Sequence, residues 1–293
     1  MSRQMRIEYP GALYHVITRG NCSGEVYHED DDRYRFLEIL NDTVKQFNLI
    51  CHSYCMMTNH YHMLLETPEG NLSSCIHRLN SVYANYFNRK YDRVGHLFQG
   101  RFKAIVVQKE SYLLELCRYI VLNPVRAHMV DDPGDYKWSS YRYTVSLRGD
   151  PIPFLSSDWI LAQFDEELSK AREKYIKFVY DGMNAESPMN DVIADLVLGD
   201  EDFIEFLKEK TSIDMNDIQI PIEQRYLFRK RLCELFSFPK ALNKEYRNKM
   251  IIEAYNNQGY TQNDISSYLN LSRKTVSRIL RSGFTSQYQR TDQ

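Results

Sequence analysis

The sequence predicts an α+β protein: a ferredoxin-like antiparallel sheet carrying helices on one face, followed by an all-α region that ends in a helix-turn-helix. Two observations point there. Over the first 110 or so residues, strand-like and helix-like stretches follow one another as β-α-β-β-α-β-α, the order of a split βαβ sandwich. Beyond Asp150-Pro151-Ile152-Pro153 the β signal fades, and the remaining periodicity is helical, with short capped segments at the end of the chain.

Each element has its own signal. Residues 12–18 (ALYHVIT) are rich in β-branched and aromatic side chains and stop at the turn Arg19-Gly20-Asn21. From Asp30-Asp31-Asp32, Tyr34, Leu37, Leu40, Val44 and Phe47 recur at helical spacing, which predicts a helix over 31–47. Residues 49–57 and 60–66 read as two strands of a hairpin turning at Thr58-Asn59. Asn71 can cap a helix to about Arg89 with Ile76, Leu79, Val82, Tyr83 and Tyr86 on its apolar stripe. Residues 103–108 form a strand, paired with 96–99, and a third helix begins near Ser111 and ends by Asn123, before Pro124. Residues 156–180, 190–210 and 222–236 are read as helical.

At 293 residues the chain is long enough for two domains at about 100–200 residues each, and 43% apolar with 26% charged residues is a globular composition. Lys and Arg against Asp and Glu count 18 to 17 in 1–150, 10 to 18 in 151–239 and 9 to 3 in 240–291. Three regions follow: 1–150, an acidic helical 151–239, and a basic 240–293 whose charge suits a duplex-contacting module. There Thr261 and Ser272 cap two helices around an Asn270-Leu271 turn, with Ile265, Leu269, Leu271, Val276 and Ile279 as a small core. Arg273, Lys274 and Arg278 face outward on the candidate recognition helix. A trihelical protein-docking module is the alternative. No window approaches about 18 apolar residues and the N-terminus lacks the apolar run of a signal peptide, so a cytoplasmic location without a membrane partner is expected. Cys22, Cys51, Cys55, Cys75, Cys117 and Cys233 form no CxxC pair and read as reduced thiols. The CxxxC of Cys51 and Cys55 is a weak zinc signal.

His60-Tyr61-His62 lies in a strand, where alternation turns both imidazoles to one side; two nitrogens there can share a divalent metal, given a third ligand. Tyr119 and Asn123 are four apart on a helix and share a face, as a nucleophile and a carboxamide would need. Ordinary roles compete: a polar sheet face, a half-buried tyrosine, a helix-ending asparagine. Tyr112, seven residues before Tyr119, is the rival nucleophile, and His15 reads as a hydrogen-bonded sheet histidine.

The stretches YHVITRGN (14–21), MTNHYHMLLE (57–66), GHLFQGRFKA (95–104) and CRYIVLNPVRA (117–127), in this order, resemble the single-tyrosine HUH transposases of the IS200-like superfamily. The branch they resemble most is that of REP-associated tyrosine transposases, over roughly 5–145. The resemblance implies that 1–150 is a catalytic domain in which His60, His62 and Asn123 bind Mg²⁺ or Mn²⁺. It further implies that Tyr119 attacks a DNA phosphodiester, keeps the 5′ phosphate and frees a 3′ hydroxyl. The implied substrate is single-stranded, hairpin-flanked DNA, in a bacterial, nucleoid-associated protein that is a monomer or a homodimer. Arg101, Lys103, Arg118 and Arg126 are the candidate phosphate contacts in this domain. Thr58 stands where many relatives have proline, and His128 where glycine is common. A non-catalytic or domesticated DNA-binding regulator, and a metal-dependent phosphodiesterase using water, are the rival readings.

Overall fold

A computed structural model describes residues 4–147, 152–211, 217, 219–236 and 243–288, the side chains of 283–288 excepted. The chain divides into two compact units, Arg6–Thr211 and Met1–Met5 with Ser212–Gln293.

The first unit contains β1 (Ala12–Arg19), α1 (Asp30–Phe47), β2 (Ile50–Met56), β3 (His60–Thr67), α2 (Leu72–Lys90), β4 (Lys103–Val107) and α3 (Lys109–Arg126). It continues through α4 (Tyr141–Thr144), α5 (Asp158–Ala162), α6 (Leu168–Asp181), β5 (Val197–Leu198) and α7 (Glu201–Lys210). The sheet order is β2-β3-β1-β4-β5. Its first four strands are antiparallel in the ferredoxin-like arrangement, β1 lying between β3 and β4. The expectation of a wholly antiparallel sheet needs one correction: β5 adds parallel to β4, Val106 pairing with Val197.

Period-two alternation along β3 decides what covers each face. Tyr61 turns to α1 and α2, its hydroxyl donating to Asn80 Oδ1 at 2.6 Å and its ring 5.0 Å from that of Phe36. His62, one residue on, turns to the opposite face, where the ring of Tyr119 on α3 packs. Helices therefore cover both faces, not one.

Four further sequence expectations give way. Residues 96–99 do not pair with β4; Phe98 bridges to Gly20 at the end of β1. Glycine is required there, because a Cβ would run into the Gly24 carbonyl oxygen. Helix α3 passes through Pro124 to Arg126. The Asn123 carboxamide makes this possible: its Nδ2 donates to the carbonyls of Tyr119 (3.0 Å) and Ile120 (3.3 Å), the latter being the acceptor a proline cannot serve. A contact boundary falls after Thr211 rather than near 150, because β5 and the Cys51–Leu155 bridge tie 152–211 to the sheet. That region is not a run of long helices. Short helices, a 3₁₀ turn over Pro188–Asp191 and β5 fill it.

The second unit carries α8 (Ile222–Leu227), α9 (Leu232–Leu235), α10 (Lys244–Asn256), α11 (Gln262–Tyr268) and α12 (Arg273–Tyr288). Thr261 and Asp264 form a capping box on α11, and Ser272 Oγ accepts from Thr275 N at 3.1 Å at the start of α12. Asn270 takes the left-handed turn position at φ 50°. Ile265, Val276 and Ile279 are buried with Ile251, Ala254 and Leu280, and Leu269 and Leu271 pack against them. The helix-turn-helix is built as its sequence indicates. Among the described residues no helix is long and apolar enough to cross a membrane.

Candidate active site

His60 opens β3, opposite Arg19 at the end of β1, and His62 pairs with Ile17. The imidazole centroids of His60 and His62 are 5.0 Å apart. His15, on β1, stacks on His62 at 5.2 Å, and the ring of Tyr119 stands edge-on to both, 5.9 Å from His15 and 6.3 Å from His62. Strand alternation supplies the histidines and α3, crossing the same face, supplies the tyrosine.

Hydrogen bonds fix which nitrogen of His60 is available. Asn59 Nδ2 donates to the Ser23 carbonyl at 3.1 Å, so Asn59 Oδ1, 2.6 Å from His60 Nδ1, is the acceptor. His60 therefore carries its hydrogen on Nδ1 and leaves a lone pair on Nε2. His62 Nδ1 lies 2.9 Å from His15 Nε2. When His62 donates in that bond, its Nε2 is free in the same way, the arrangement of a metal-ligating imidazole held by a second partner. Burial holds these rings neutral: it lowers His60 to about 4 with help from Arg19, and His15 to about 3 with help from Lys103. Burial also places His62 well below the usual histidine value, with His15, His60 and Arg19 adding to the effect.

Among the described residues no three His, Cys, Asp or Glu side chains are grouped to hold a metal. Asn123 is half-buried on α3, and with Nδ2 spent on two helix carbonyls its Oδ1 is the atom left to act. The rival Tyr112 is not in the cluster; among the described residues it is Tyr119 that makes ring contacts with the histidines.

The basic candidates separate. Arg126 lies with its guanidinium 5.4 Å from the Tyr119 ring centre and donates to the Ala185 carbonyl at 2.9 Å. Arg118 pairs with Glu115 at 2.5 Å and stacks on Phe178, a packing role between α3 and α6. Lys103 pairs with Asp195 at 2.9 Å. Arg101 is exposed and lines a cavity beside α2, whereas Arg273, Lys274 and Arg278 are exposed on α12. Sequence reasoning missed Asn59; its only signal was its place immediately before His60 in a turn. The cysteines are free thiols, Cys51, Cys55, Cys75 and Cys117 buried and Cys22 and Cys233 exposed.

Residues 9–123 match the family model described as IS200-like transposase. This stretch is similar to the IS200-like transposases. The matched range holds His15, His60, His62, Tyr119 and Asn123. Residues 245–286, from α10 into α12, match the model of sigma-70 region 4, in keeping with a DNA-binding helix-turn-helix. Among solved structures the chain is similar to a REP-associated tyrosine transposase bound to a REP hairpin, at 18% identity and a TM-score of 0.43, over 53% of this chain and 92% of that one. No curated protein matches.

Proposed function

We propose that the transposase domain cuts and rejoins single-stranded, hairpin-flanked DNA of a mobile element or of chromosomal repeats through a covalent 5′-phosphotyrosine on Tyr119, while α10–α12 hold duplex DNA. The observation that carries this reading is the Tyr119 ring standing edge-on to the His15–His62 pair, two residues from His60 on the same sheet face. Tyr119 Oη attacks the phosphorus; the bond to the 3′ oxygen breaks, the phenol proton is given up and the departing oxygen takes one. Reversal onto another 3′ hydroxyl rejoins DNA without a nucleotide cofactor, because the phosphotyrosine keeps the bond's free energy.

The donor set fits a divalent cation: two imidazoles kept neutral by burial, one with Nε2 free by its hydrogen bonding and the other by its matching tautomer, and a carboxamide oxygen one turn from the tyrosine. Mg²⁺ or Mn²⁺ on His60, His62 and Asn123 would polarise the scissile phosphate and steady its charge, offsetting the weak nucleophilicity of a neutral phenol. His15 orients His62, and Asn59 orients His60.

Denaturing electrophoresis after incubation with Mn²⁺ and an end-labelled hairpin tests the chemistry. A protein–DNA adduct is expected from the wild type and none from Tyr119→Phe, with hairpin affinity nearly unchanged. Cleavage without an adduct would establish hydrolysis by water, and binding without cleavage a regulator. Calorimetry with Mn²⁺ should lose the binding isotherm in His60→Ala and His62→Ala; unchanged affinity in both refutes the metal site.

A further inference from the structure

The acid-rich stretch 151–239 contains a basic cluster. Of its ten Lys and Arg residues, Arg225, Arg229, Lys230 and Arg231 fall within seven positions that hold no Asp or Glu. These four belong to the compact unit that runs from Ser212 and includes the helix-turn-helix, not to the unit that holds the acidic residues before Thr211. They lie outside the range 245–286 that matches sigma-70 region 4.

Several contacts strap the cluster to the turn that leads into α11. Lys230 N donates to Gln258 Oε1 at 2.9 Å, and Tyr260 Oη donates to the Lys230 carbonyl at 3.0 Å. Tyr226 packs on Gly259, at φ 69°, where a Cβ would run into its ring. Further along, Leu235 and Phe236 are buried in the core shared with α10–α12. The Arg229 guanidinium lies 3.8 Å from the Tyr260 ring centre and 5.0 Å from that of Tyr226. Stacking fixes the plane of a guanidinium and leaves its N–H edge to meet an oxygen. The Thr261 N–H, and after it the Thr261 side chain and Arg229, hold the Asp264 carboxyl below the usual aspartate value, which sets Arg229 beside the start of α11. Lys230 and Arg231 are exposed.

In a helix-turn-helix the second helix enters the major groove and the first crosses the sugar-phosphate backbone. Here the second is α12, with Arg273, Lys274 and Arg278 exposed, and the first is α11. The cluster is thus pinned at the entrance to the helix that passes the phosphates, with one cation oriented by two rings and two more exposed to solvent.

We propose that Arg229, Lys230 and Arg231 clamp the phosphate backbone of duplex DNA beside the stretch that α12 reads. The clamp rests on α12 as the duplex reader, and its test keeps the two apart. Phosphate contacts are blind to sequence, so a fluorescein-labelled duplex of arbitrary sequence and about 20 base pairs serves as the probe. Anisotropy with the full chain at two salt concentrations should show Lys230→Gln and Arg229→Gln each binding about fivefold more weakly at the lower salt, with the slope of log affinity on log salt reduced by about 1. Lys230 enters the strap through its backbone alone, so its variant tests the clamp without disturbing the packing; circular dichroism checks the fold of both. Unchanged affinity in both variants, beside a loss in Arg273→Ala with Arg278→Ala, overturns the clamp and leaves α12 as the reader. Weaker binding with a wild-type salt slope marks a packing defect and overturns the clamp as well. Loss in the Arg229 and Lys230 variants with none in the Arg273 and Arg278 pair supports the clamp and sinks the reading of α12, and a wild-type chain that binds no duplex overturns both.

Discussion

Arg126 lies two turns beyond Tyr119 on α3, close enough for its guanidinium to face the phenol ring while its other end bonds the Ala185 carbonyl. A cation held there by the backbone can steady the ring and the charge that develops on it, a contribution of about 1–2 kcal/mol in a partly desolvated site. Arg126→Ala is therefore expected to slow adduct formation about tenfold with little change in hairpin affinity. Arg126→Lys should recover only part of the rate, since an ammonium lacks the planar fork. If Arg126 were chiefly a phosphate contact, the loss would appear in affinity and in a shallower salt dependence; single-turnover rates beside titrations at two salt concentrations tell the two apart. The difference between Arg126 and Arg118 was invisible in sequence, because both stand in the same basic motif and only tertiary partners separate them. His60, His62 and Tyr119 were legible since period-two and helical spacing settle their faces locally. The roles of His15 and Asn59 depend on pairing between β1 and β3 and on one turn carbonyl, neither of which a linear pattern contains.

Helix α1 starts on a buried carboxylate. Asp32, its side chain fully buried, accepts from the backbone N–H groups of His28 and Glu29 and from Tyr91 Oη and Lys90 Nζ, at 2.8–3.1 Å. Burial alone would raise its pKa, but Lys90, Tyr91 and the two backbone donors outweigh it and hold the carboxyl below the usual aspartate value. A depressed folded-state pKa contributes stability above the unfolded value, near 4, that is lost as pH falls through the folded one. Asp32→Asn should lower stability by about 3 kcal/mol at pH 7, and the gap from wild type should narrow at pH 3; urea unfolding at the two values reads both. The cluster joins residues 58 apart in sequence, so the acidic run announced a helix start without announcing its partner on α2. At the end of α3 the reverse holds. His128 adopts φ 54°, a conformation that favours glycine, which accounts for the glycine common there in the family the motifs resemble. The Pro124 signal was overridden by a side chain, Asn123, that the same motif supplies.

At the scale of the molecule, the acid-rich stretch after 150 is an annex of the sheet. Val106 N donates to the Leu196 carbonyl and Gln108 N to the Leu198 carbonyl, covering the β4 edge, and Lys103, Gln108 and Arg126 bond Asp195, Asp200 and Ala185. The sequence hid this because β5 is two residues long, too short to register as a strand among helical signals. Cutting near 150 would strip those partners and expose the edge of β4. The informative truncation ends at Thr211, where the compact unit ends. Residues 6–211 are expected to fold, to retain adduct formation on a hairpin and to lose most duplex binding, whereas 6–150 should aggregate. In the full chain Arg273→Ala with Arg278→Ala should reproduce the loss of duplex affinity, by about 1–3 kcal/mol per contact, and leave hairpin cleavage alone. Were α10–α12 a docking or dimerisation unit instead, removing them would change the mass seen by light scattering and spare duplex affinity. Duplex titrations at two salt concentrations on the full chain, the double variant and the 6–211 fragment decide the matter, and duplex binding that survives in the fragment refutes the assignment of α12 as the duplex reader.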